Sequence, residues 1–253
     1  MWIVEYRELI RILTISDLKV KYQSSVLGFL WSLLNPLLIM LVLYFVFSDI
    51  FGMREGQFAL YLLVGIVGWR FLANGTMTSI SAIVGKPSLV TKVYVPRQVL
   101  VLSTVLSSFT SSILEFSVLV PLLIFFGVDL SINLLFFPLI HLTFLVLVYG
   151  LSLILSALYV YYRDLNQIWD VLLQAGFFLS PIVYPISIVP EKYLAAYMMN
   201  PVTLIIEMYR DVLLYATTPS PGDLAFIVAA AGAALLVGGA VFGRLERRFA
   251  EEI

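Results

Sequence analysis

The chain has 253 residues, of which 61% are hydrophobic and 12% are charged, with a formal net charge of −1. An average soluble domain has about 25% charged residues, so this composition excludes an ordinary water-soluble fold and indicates an integral membrane protein. The near-neutral charge and the lack of a long basic run argue against nucleic acid as a partner. With no cysteine and one histidine, neither a disulfide framework nor a metal site is expected.

The first segment, residues 1–24, mixes charged and apolar residues at helical spacing. Its apolar residues fall on one stripe: Trp2, Tyr6, Leu9, Ile10 and Leu13. This pattern predicts an amphipathic helix that lies on the cytoplasmic leaflet of the membrane. A helix packed against the rest of the protein is the alternative. A signal peptide is not expected, because no continuous apolar region follows a basic start.

The next segment contains no charged residue between Lys21 and Asp49. About 20 apolar residues in a helix span the ~30 Å hydrocarbon core, so this run predicts a first transmembrane helix. The stretch that leads into it, KYQSSVLGFLWSLLNPLLIM (residues 21–40), turns from polar to apolar within a few residues. Gly28 permits close packing at the bend. Pro36 removes one backbone hydrogen bond, which membrane helices tolerate when neighbouring groups satisfy the freed carbonyl.

Further long apolar runs predict an all-α membrane protein, since the strands of a barrel would alternate in polarity over ~10 residues. We predict one transmembrane domain, residues 1–253, with six spans at residues 27–48, 58–84, 98–127, 132–160, 166–185 and 222–243. Residues 193–206 are apolar but too short to cross a membrane. Residues 186–221 therefore predict two short re-entrant or interfacial helices, broken at Asn200 and Pro201. Residues 244–253 predict a cytoplasmic tail.

Basic residues orient these spans. Eleven lysines and arginines fall in segments on the side of the two termini: Arg7, Arg11, Lys19, Lys21, Lys86, Lys92, Arg97, Arg163, Arg244, Arg247 and Arg248. Three fall on the other side: Arg54, Lys192 and Arg210. Because cytoplasmic loops are enriched in Lys and Arg, both termini are predicted to be cytoplasmic.

Two charged residues, Arg70 and Glu115, and the one histidine, His141, lie deep inside the predicted spans. At ~1.5 Å per residue they lie at similar depths, so Arg70 and Glu115 are predicted to pair across antiparallel spans two and three. The pair has two interpretations, a structural ion pair or part of a proton relay. His141 is expected to be a hydrogen-bonded residue within the bundle.

Sequence motifs for catalysis are missing. There is no GxSxG or HExxH motif, and Gly85-Lys86 is not a P-loop because Ile80 and Pro87 replace the required glycine and Ser/Thr. The chain is therefore not expected to be an enzyme or to hold a cofactor. If it transports, the energy comes from a gradient or from a separate subunit.

Three stretches resemble one family: DLKVKYQSSVLGFLWSLLNPLL (residues 17–38), YYRDLNQIWDVLLQAGFFLSPIVYPIS (161–187) and NPVTLIIEMYRDVLL (200–214). They are similar to the permease subunit of bacterial type-2 ABC exporters for polysaccharides, such as O-antigen, capsule or teichoic acid. The resemblance implies a homodimer of six-span subunits in the bacterial inner membrane. It also implies two separate ATPase subunits, which bind ATP and Mg, and a lipid-linked polysaccharide that passes between the permeases.

The resemblance also implies which segments contact the ATPase. These are the loops at residues 86–97 and 161–167, with candidate docking residues Lys86, Lys92, Tyr94, Arg97, Arg163 and Asp164. For Arg163 and Asp164, local pairing within a cytoplasmic loop is the alternative. The two short helices after Pro185 resemble the outer gate helices of the family.

Aromatic residues make up 14% of the chain and could contact sugar rings. The candidate channel or gate aromatics are Tyr22, Phe29, Trp31, Phe177, Phe178 and Tyr184. Many other aromatics are expected to lie at the membrane interface or in packing contacts.

Three rival functions remain. A type-2 exporter of small hydrophobic drugs or lipids would share the fold. A gradient-driven carrier would work without an ATPase and would lose activity when Glu115 is neutralised. A membrane-embedded glycosyltransferase or acyltransferase would need acidic or histidine clusters at the membrane face, which the sequence lacks.

Overall fold

The computed structural model describes residues 5–23, 28, 30–52, 57–92, 95–129 and 131–252, with the backbone alone at residues 91, 92, 250 and 251. Within these ranges the regular elements are helical, as predicted. Of the predicted site residues, Phe29 and Tyr94 lie outside the described residues, as do Trp2, Arg54 and the side chain of Lys92.

The helices follow one another in a simple order. They are α1 (Arg7–Tyr22), α2 (Leu30–Tyr44), α3 (Phe58–Ile80), α4 (Pro87–Lys92), α5 (Gln98–Phe125), α6 (Phe137–Tyr161), α7 (Leu165–Leu179), α8 (Glu191–Met198), α9 (Pro201–Leu213), α10 (Pro221–Leu245) and α11 (Phe249–Glu252). A π-helical turn, Phe45–Ile50, extends α2. Short 3₁₀ segments, Ile132–Phe136, Ile186–Ile188 and Glu246–Arg248, precede α6, α8 and α11.

Among the described residues, five helical stretches are long and apolar enough to cross a membrane. They are Leu30–Ile50, Phe58–Ile80, Gln98–Phe125, Ile132–Tyr161 and Pro221–Arg248. These stretches correspond to the first four predicted spans and to the last. The multi-helix membrane architecture follows from the length and composition of these helices.

The helix within the predicted span at residues 166–185 is shorter than the span. Helix α7 has 15 residues and ends at Leu179. Ser180 takes an extended conformation, with ψ 147°, because the residue before a proline is disfavoured in the helical region. At ~1.5 Å per residue α7 is about 22 Å long, which is shorter than the ~30 Å hydrocarbon core.

Helix α3 is the centre of the fold. It contacts α2, α5, α6, α7 and α9, and most of its residues are buried, as expected for a helix that is apolar on all sides. Its glycines permit close approach of α9. A Cβ at Gly65 would lie 2.6 Å from Arg210 Nη2, and one at Gly68 would lie 3.3 Å from the Tyr209 ring.

Helix α1 packs along α5. Thr14 Oγ1 donates to the carbonyl of Ser103 at 3.4 Å, and Lys21 Nζ donates to Ser111 Oγ at 3.2 Å. The contacts advance in the same direction on both helices, so α1 and α5 run side by side and parallel. The face with Ile10 is buried against protein, whereas Ile12 and Val20 are exposed. One face of α1 thus packs on protein, and its position at the membrane surface stays a prediction.

The sequence predicts a bend at Gly28, whose neighbours at residues 24–27 and 29 lie outside the described residues. Gly28 has a φ of +48°, a left-handed conformation that favours glycine. Further along, Pro36 is buried inside α2. With Leu37, it borders a small gap closed by Leu63 and Val67 of α3. Pro36 thus lies at the contact between α2 and α3.

The break predicted at Asn200 and Pro201 is present. The Asn200 side-chain oxygen accepts from the Val202 amide at 3.0 Å, and Pro201 occupies the first turn of α9. Both residues are favourable at a helix start. The two helices differ in environment: α8 has no buried residue, whereas α9 is buried along most of its length. Helix α9 is therefore part of the core.

Candidate functional site

A polar network around Arg70 joins three helices. Arg70 Nε lies 3.4 Å from Glu115 Oε2, so the predicted ion pair is present. Arg70 Nη1 also donates to Asn35 Oδ1 at 2.6 Å. Glu115 is buried, and the Arg70 side chain is 20% exposed. The network connects α2, α3 and α5, and sequence reasoning missed Asn35 because an uncharged amide does not interrupt an apolar run.

His141 lies in an aromatic cluster. Its ring stacks between Phe109 and Phe137, with centroids 4.6 and 5.3 Å away. Nδ1 lies 2.7 Å from the Tyr209 hydroxyl. This confirms the prediction of a hydrogen-bonded residue within the bundle. Among the described residues, no direct hydrogen bond joins His141 to Glu115, so the geometry gives no direct support to a relay between them.

A cleft of about 400 Å³ lies between α3 and α7. We call it the α3–α7 cleft, and its lining residues are Trp69, Ala73, Asn74, Met77, Asp170, Leu173, Gln174, Phe177 and Phe178. Trp69 and Phe177 meet edge to face, with centroids 6.1 Å apart. Gln174 Nε2 donates to Asp170 Oδ2 at 2.8 Å, and both side chains are exposed.

The composition of the cleft suits a polyhydroxylated ligand. Aromatic rings present apolar faces that can pack on the CH groups of a sugar. Amide and carboxylate groups can accept hydrogen bonds from hydroxyls, and the amides can also donate. Phe177 and Phe178 were predicted as path residues. Sequence reasoning missed Asp170 and Gln174, although their i, i+4 spacing places them on one helical face.

Two contacts fix the walls of the cleft. Trp169 Nε1 of α7 donates to Thr76 Oγ1 of α3 at 2.8 Å. Gly176 lies directly against Trp69, since a Cβ there would lie 2.9 Å from the indole ring. The spacing of the two helices is therefore set by one hydrogen bond and one close glycine–tryptophan contact.

Arg210, which the charge count assigns to the side opposite the termini, is fully buried. Its guanidinium donates to the carbonyls of Pro181 and Ile182, at 2.6 and 3.0 Å. It also donates to the Tyr61 hydroxyl at 2.7 Å and to Glu207 Oε1 at 2.5 Å. This group, the Arg210 cluster, ties the turn after α7 to α3 and α9.

The other predicted aromatics are dispersed. Tyr22 lies beside Ser111, with the hydroxyls 3.1 Å apart, and Trp31 is half exposed on α2. The Tyr184 hydroxyl donates to the Phe178 carbonyl at 2.8 Å and lies 2.9 Å from the Tyr197 hydroxyl. Among the described candidate aromatics, only Phe177 and Phe178 line the α3–α7 cleft.

The predicted docking residues contact other parts of the same chain. Lys86 Nζ pairs with Asp17 of α1, with distances of 2.8 and 3.0 Å to the two carboxylate oxygens. Arg97 Nη1 donates to the carbonyl of Glu246 at 2.6 Å. Arg163 and Asp164 are exposed. The cytoplasmic ends predicted for the bundle thus meet α1 and the carboxyl-terminal segment.

Comparison with known families decides the class of protein. Residues 8–214 match the family described as ABC-2 type transporter. The chain belongs to the ABC-2 type transporter family. With its several apolar helices, this ABC-2 transporter is a multi-pass membrane protein and a permease subunit, and membership of the family implies an ATPase partner. The resemblance in the three sequence stretches is thereby confirmed.

Individual relatives cover nearly the whole ABC-2 transporter chain. An O-antigen export system permease protein RfbA from Klebsiella pneumoniae is 30% identical over 246 residues, which are 96% of this chain and 94% of the relative. A protein of the same name from Myxococcus xanthus is 30% identical over 98% of this chain and 96% of the relative. The polysialic acid transport protein KpsM of Escherichia coli is 22% identical over 80% of each chain.

Proposed function

We propose that this chain is the transmembrane subunit of an ATP-driven exporter of lipid-linked, O-antigen-like polysaccharide. The observation that supports this most strongly is the similarity to two O-antigen export permeases along 96% and 98% of the chain. The α3–α7 cleft adds chemical support, because its aromatic, amide and carboxylate groups suit sugars. The relatives do not favour the alternative, an exporter of small hydrophobic drugs or lipids.

The proposed arrangement places two copies of this chain in the bacterial inner membrane, above two ATPase subunits that bind ATP and Mg. Each copy has six spans, with the short α7 and the turn that follows it as the fifth. Residues 186–221 form the outer gate segment, and both termini are cytoplasmic. Apolar side chains exposed on α2 and α7, including Leu38, Val42, Val171 and Leu172, are available to lipid or to the second copy.

The mechanism follows from the contacts at the predicted cytoplasmic end. ATP binding closes the ATPase subunits and moves the loops at residues 86–97 and 161–167. The ion pair between Lys86 and Asp17 passes this motion to α1, and the bend at Gly28 passes it to α2. Motion of the helices then moves sugar units outward. Aromatic surfaces bind many sugars, so the polymer can slide without a fixed register.

An export assay tests the proposal. A strain that lacks this gene and its ATPase gene is given both genes, either gene alone, or both with the lysine of the ATPase P-loop replaced. We expect polymer on the cell surface only with both intact genes. Surface polymer in the strain with the permease alone would contradict the proposal and would indicate a carrier that needs no ATPase.

Neutralising Glu115 separates the exporter from a gradient-driven carrier. We expect Glu115→Gln to keep most of the export, because the amide can still accept from Arg70 and no proton transfer is needed. Arg70→Met alone leaves a buried carboxylate unpaired and should lower the amount of folded protein. The double variant Arg70→Met/Glu115→Leu should recover much of the lost folded protein, because no buried charge is left unpaired. Export assays and membrane yields measure these effects; loss of export with normal yield in Glu115→Gln would favour the carrier.

Removal of one aromatic side chain tests the cleft. Phe178 is 60% exposed in the cleft, and its neighbour Leu179 is 64% exposed but does not line it. An aromatic contact contributes about 0.5–1.5 kcal/mol, so Phe178→Ala should slow export roughly 2- to 10-fold. Leu179→Ala is the control and should export at the wild-type rate. Equal export rates for the two variants would show that the polymer does not pass through the α3–α7 cleft.

A further inference from the structure

The carboxyl-terminal segment, residues 246–252, is packed into the end of the bundle. Phe249 is fully buried. Its ring packs against Phe242 of α10 and Tyr161 of α6, with centroids 5.4 and 6.3 Å away. Helix α11 also contacts α4, the short helix in the loop between α3 and α5. A segment that could have extended into solvent is instead held by a buried aromatic anchor.

Backbone carbonyls at the junction of α10 and this segment accept hydrogen bonds from side chains of both predicted docking loops. Arg97 Nη1 donates to the Glu246 carbonyl at 2.6 Å, and its guanidinium lies 5.9 Å from the Phe249 ring centroid. The Tyr161 hydroxyl donates to the Leu245 carbonyl at 2.9 Å. These carbonyls lie at the end of α10, where backbone acceptors lack helical partners and cations are favoured. The segment therefore fixes Arg97 and Tyr161 in one arrangement.

The exposed surface around this segment carries charges of both signs. Its exposed cations are Arg163, Arg244, Arg247 and Arg248, and its described carboxylates are the exposed Asp164 and Glu252 and the half-buried Glu246; the side chain of Glu251 lies outside the described residues. Arg163 Nη2 reaches the Glu252 carbonyl at 3.5 Å, which places the two parts of this surface side by side. The family match ends at residue 214, so membership of the family assigns no role to this segment.

We propose that residues 246–252 form a third part of the ATPase-docking surface, beside the loops at residues 86–97 and 161–167. Phe249 is a positioning residue that holds the segment against Arg97 and Tyr161. Arg247 and Arg248 face a partner with acidic side chains, the ATPase subunit. This inference rests on the proposed function, because it requires an ATPase that docks at these loops. The rival partner of Arg247 and Arg248 is the anionic headgroups of the membrane.

Single-cysteine cross-linking tests the contact, because the chain has no cysteine of its own. Asp164→Cys, Arg247→Cys and Lys192→Cys are each co-expressed with a tagged ATPase subunit, purified in a neutral detergent and treated with a short thiol-to-amine cross-linker. We expect cross-links to the ATPase from positions 164 and 247 and none from 192. A cross-link from 164 but not from 247 would overturn the inference and leave the proposed docking loops intact. Absence of cross-links from both positions would instead contradict the docking part of the proposed function.

Substitution of Phe249 tests its positioning role. In Phe249→Ala we expect about fivefold less ATPase to co-purify per permease, while Phe249→Leu stays near wild type. Phe226→Ala, on a more exposed part of α10, is the control. Wild-type co-purification by Phe249→Ala would overturn the positioning role. If Phe249→Ala lowers the permease yield, the Arg247→Glu/Arg248→Glu variant decides, because these side chains are exposed: reduced co-purification supports the surface, and wild-type co-purification contradicts it.

Discussion

Replacing Arg210 with methionine should unfold the permease at a much lower temperature than the wild type. Arg210 is fully buried, and its guanidinium satisfies the carbonyls of Pro181 and Ile182. Without it the Ile182 carbonyl and the Glu207 carboxylate lose this donor, and the Pro181 carbonyl is left with the Tyr61 hydroxyl, 3.3 Å away. Removal of one member of a buried charged pair costs about 3–5 kcal/mol. Thermal unfolding in detergent, followed by size-exclusion chromatography, measures the effect.

Two further variants show which property of Arg210 is responsible for the loss of stability. The unfolding temperature of Arg210→Lys should lie between those of the wild type and Arg210→Met. An ammonium keeps the charge but lacks the five donors of the planar guanidinium. Lys192→Met removes the same charge from an exposed position on α8 and should melt like the wild type. If Arg210→Met and Lys192→Met had the same unfolding temperature, the Arg210 cluster would not stabilise the turn after α7.

Adding one methyl group at Gly238 should disrupt the contact between α6 and α10. A Cβ at Gly238 would overlap the carbonyl oxygen of Gly150, and a Cβ at Gly150 would lie 2.5 Å from the Ala234 backbone. Backbone atoms cannot move aside as a flexible side chain can, so the helices must separate. Small residues at such crossings are what allow membrane helices to pack closely.

The adjacent glycine gives a matched control. Gly239 has no atom within 4 Å of an added Cβ. We therefore expect Gly238→Ala to lose about 1–3 kcal/mol of stability through overpacking. Gly239→Ala should leave the stability of the protein unchanged or raise it slightly, because alanine is a better helix former than glycine. Membrane yield and thermal unfolding distinguish the two; equal behaviour would mean that the close crossing does not limit packing.

The spans and the core differ in how far the sequence determines them. Long apolar runs that contain at most one charge predicted the five candidate spans, because such runs can be recognised from local composition alone. The end of α7 was also a local property, because Ser180 precedes Pro181, and it could have been predicted. The burial of Arg210 could not have been predicted from the local sequence. It depends on Tyr61 and Pro181, which are 149 and 29 residues away along the chain.

The candidate site shows the same division. Arg70 and Glu115 were predicted to pair because charges inside a span need partners. Asn35 joins them only through packing of α2 on α3, which no local pattern reveals. The cleft combines Asn74 of α3 with Asp170 and Gln174 of α7, from segments about 100 residues apart. Such a constellation becomes visible only when the two helices are placed side by side.

Transport in a reconstituted system tests the central claim most directly. The permease and its ATPase subunit are placed in liposomes with the ATPase facing outward, together with a lipid-linked polysaccharide that carries a fluorescent sugar. After ATP is added, polymer moved into the lumen becomes resistant to an external glycosidase. We predict protection that requires ATP, Mg and both subunits. Protection that is equal without ATP, or absent while the ATPase hydrolyses ATP with the permease bound, would contradict polysaccharide export by this chain.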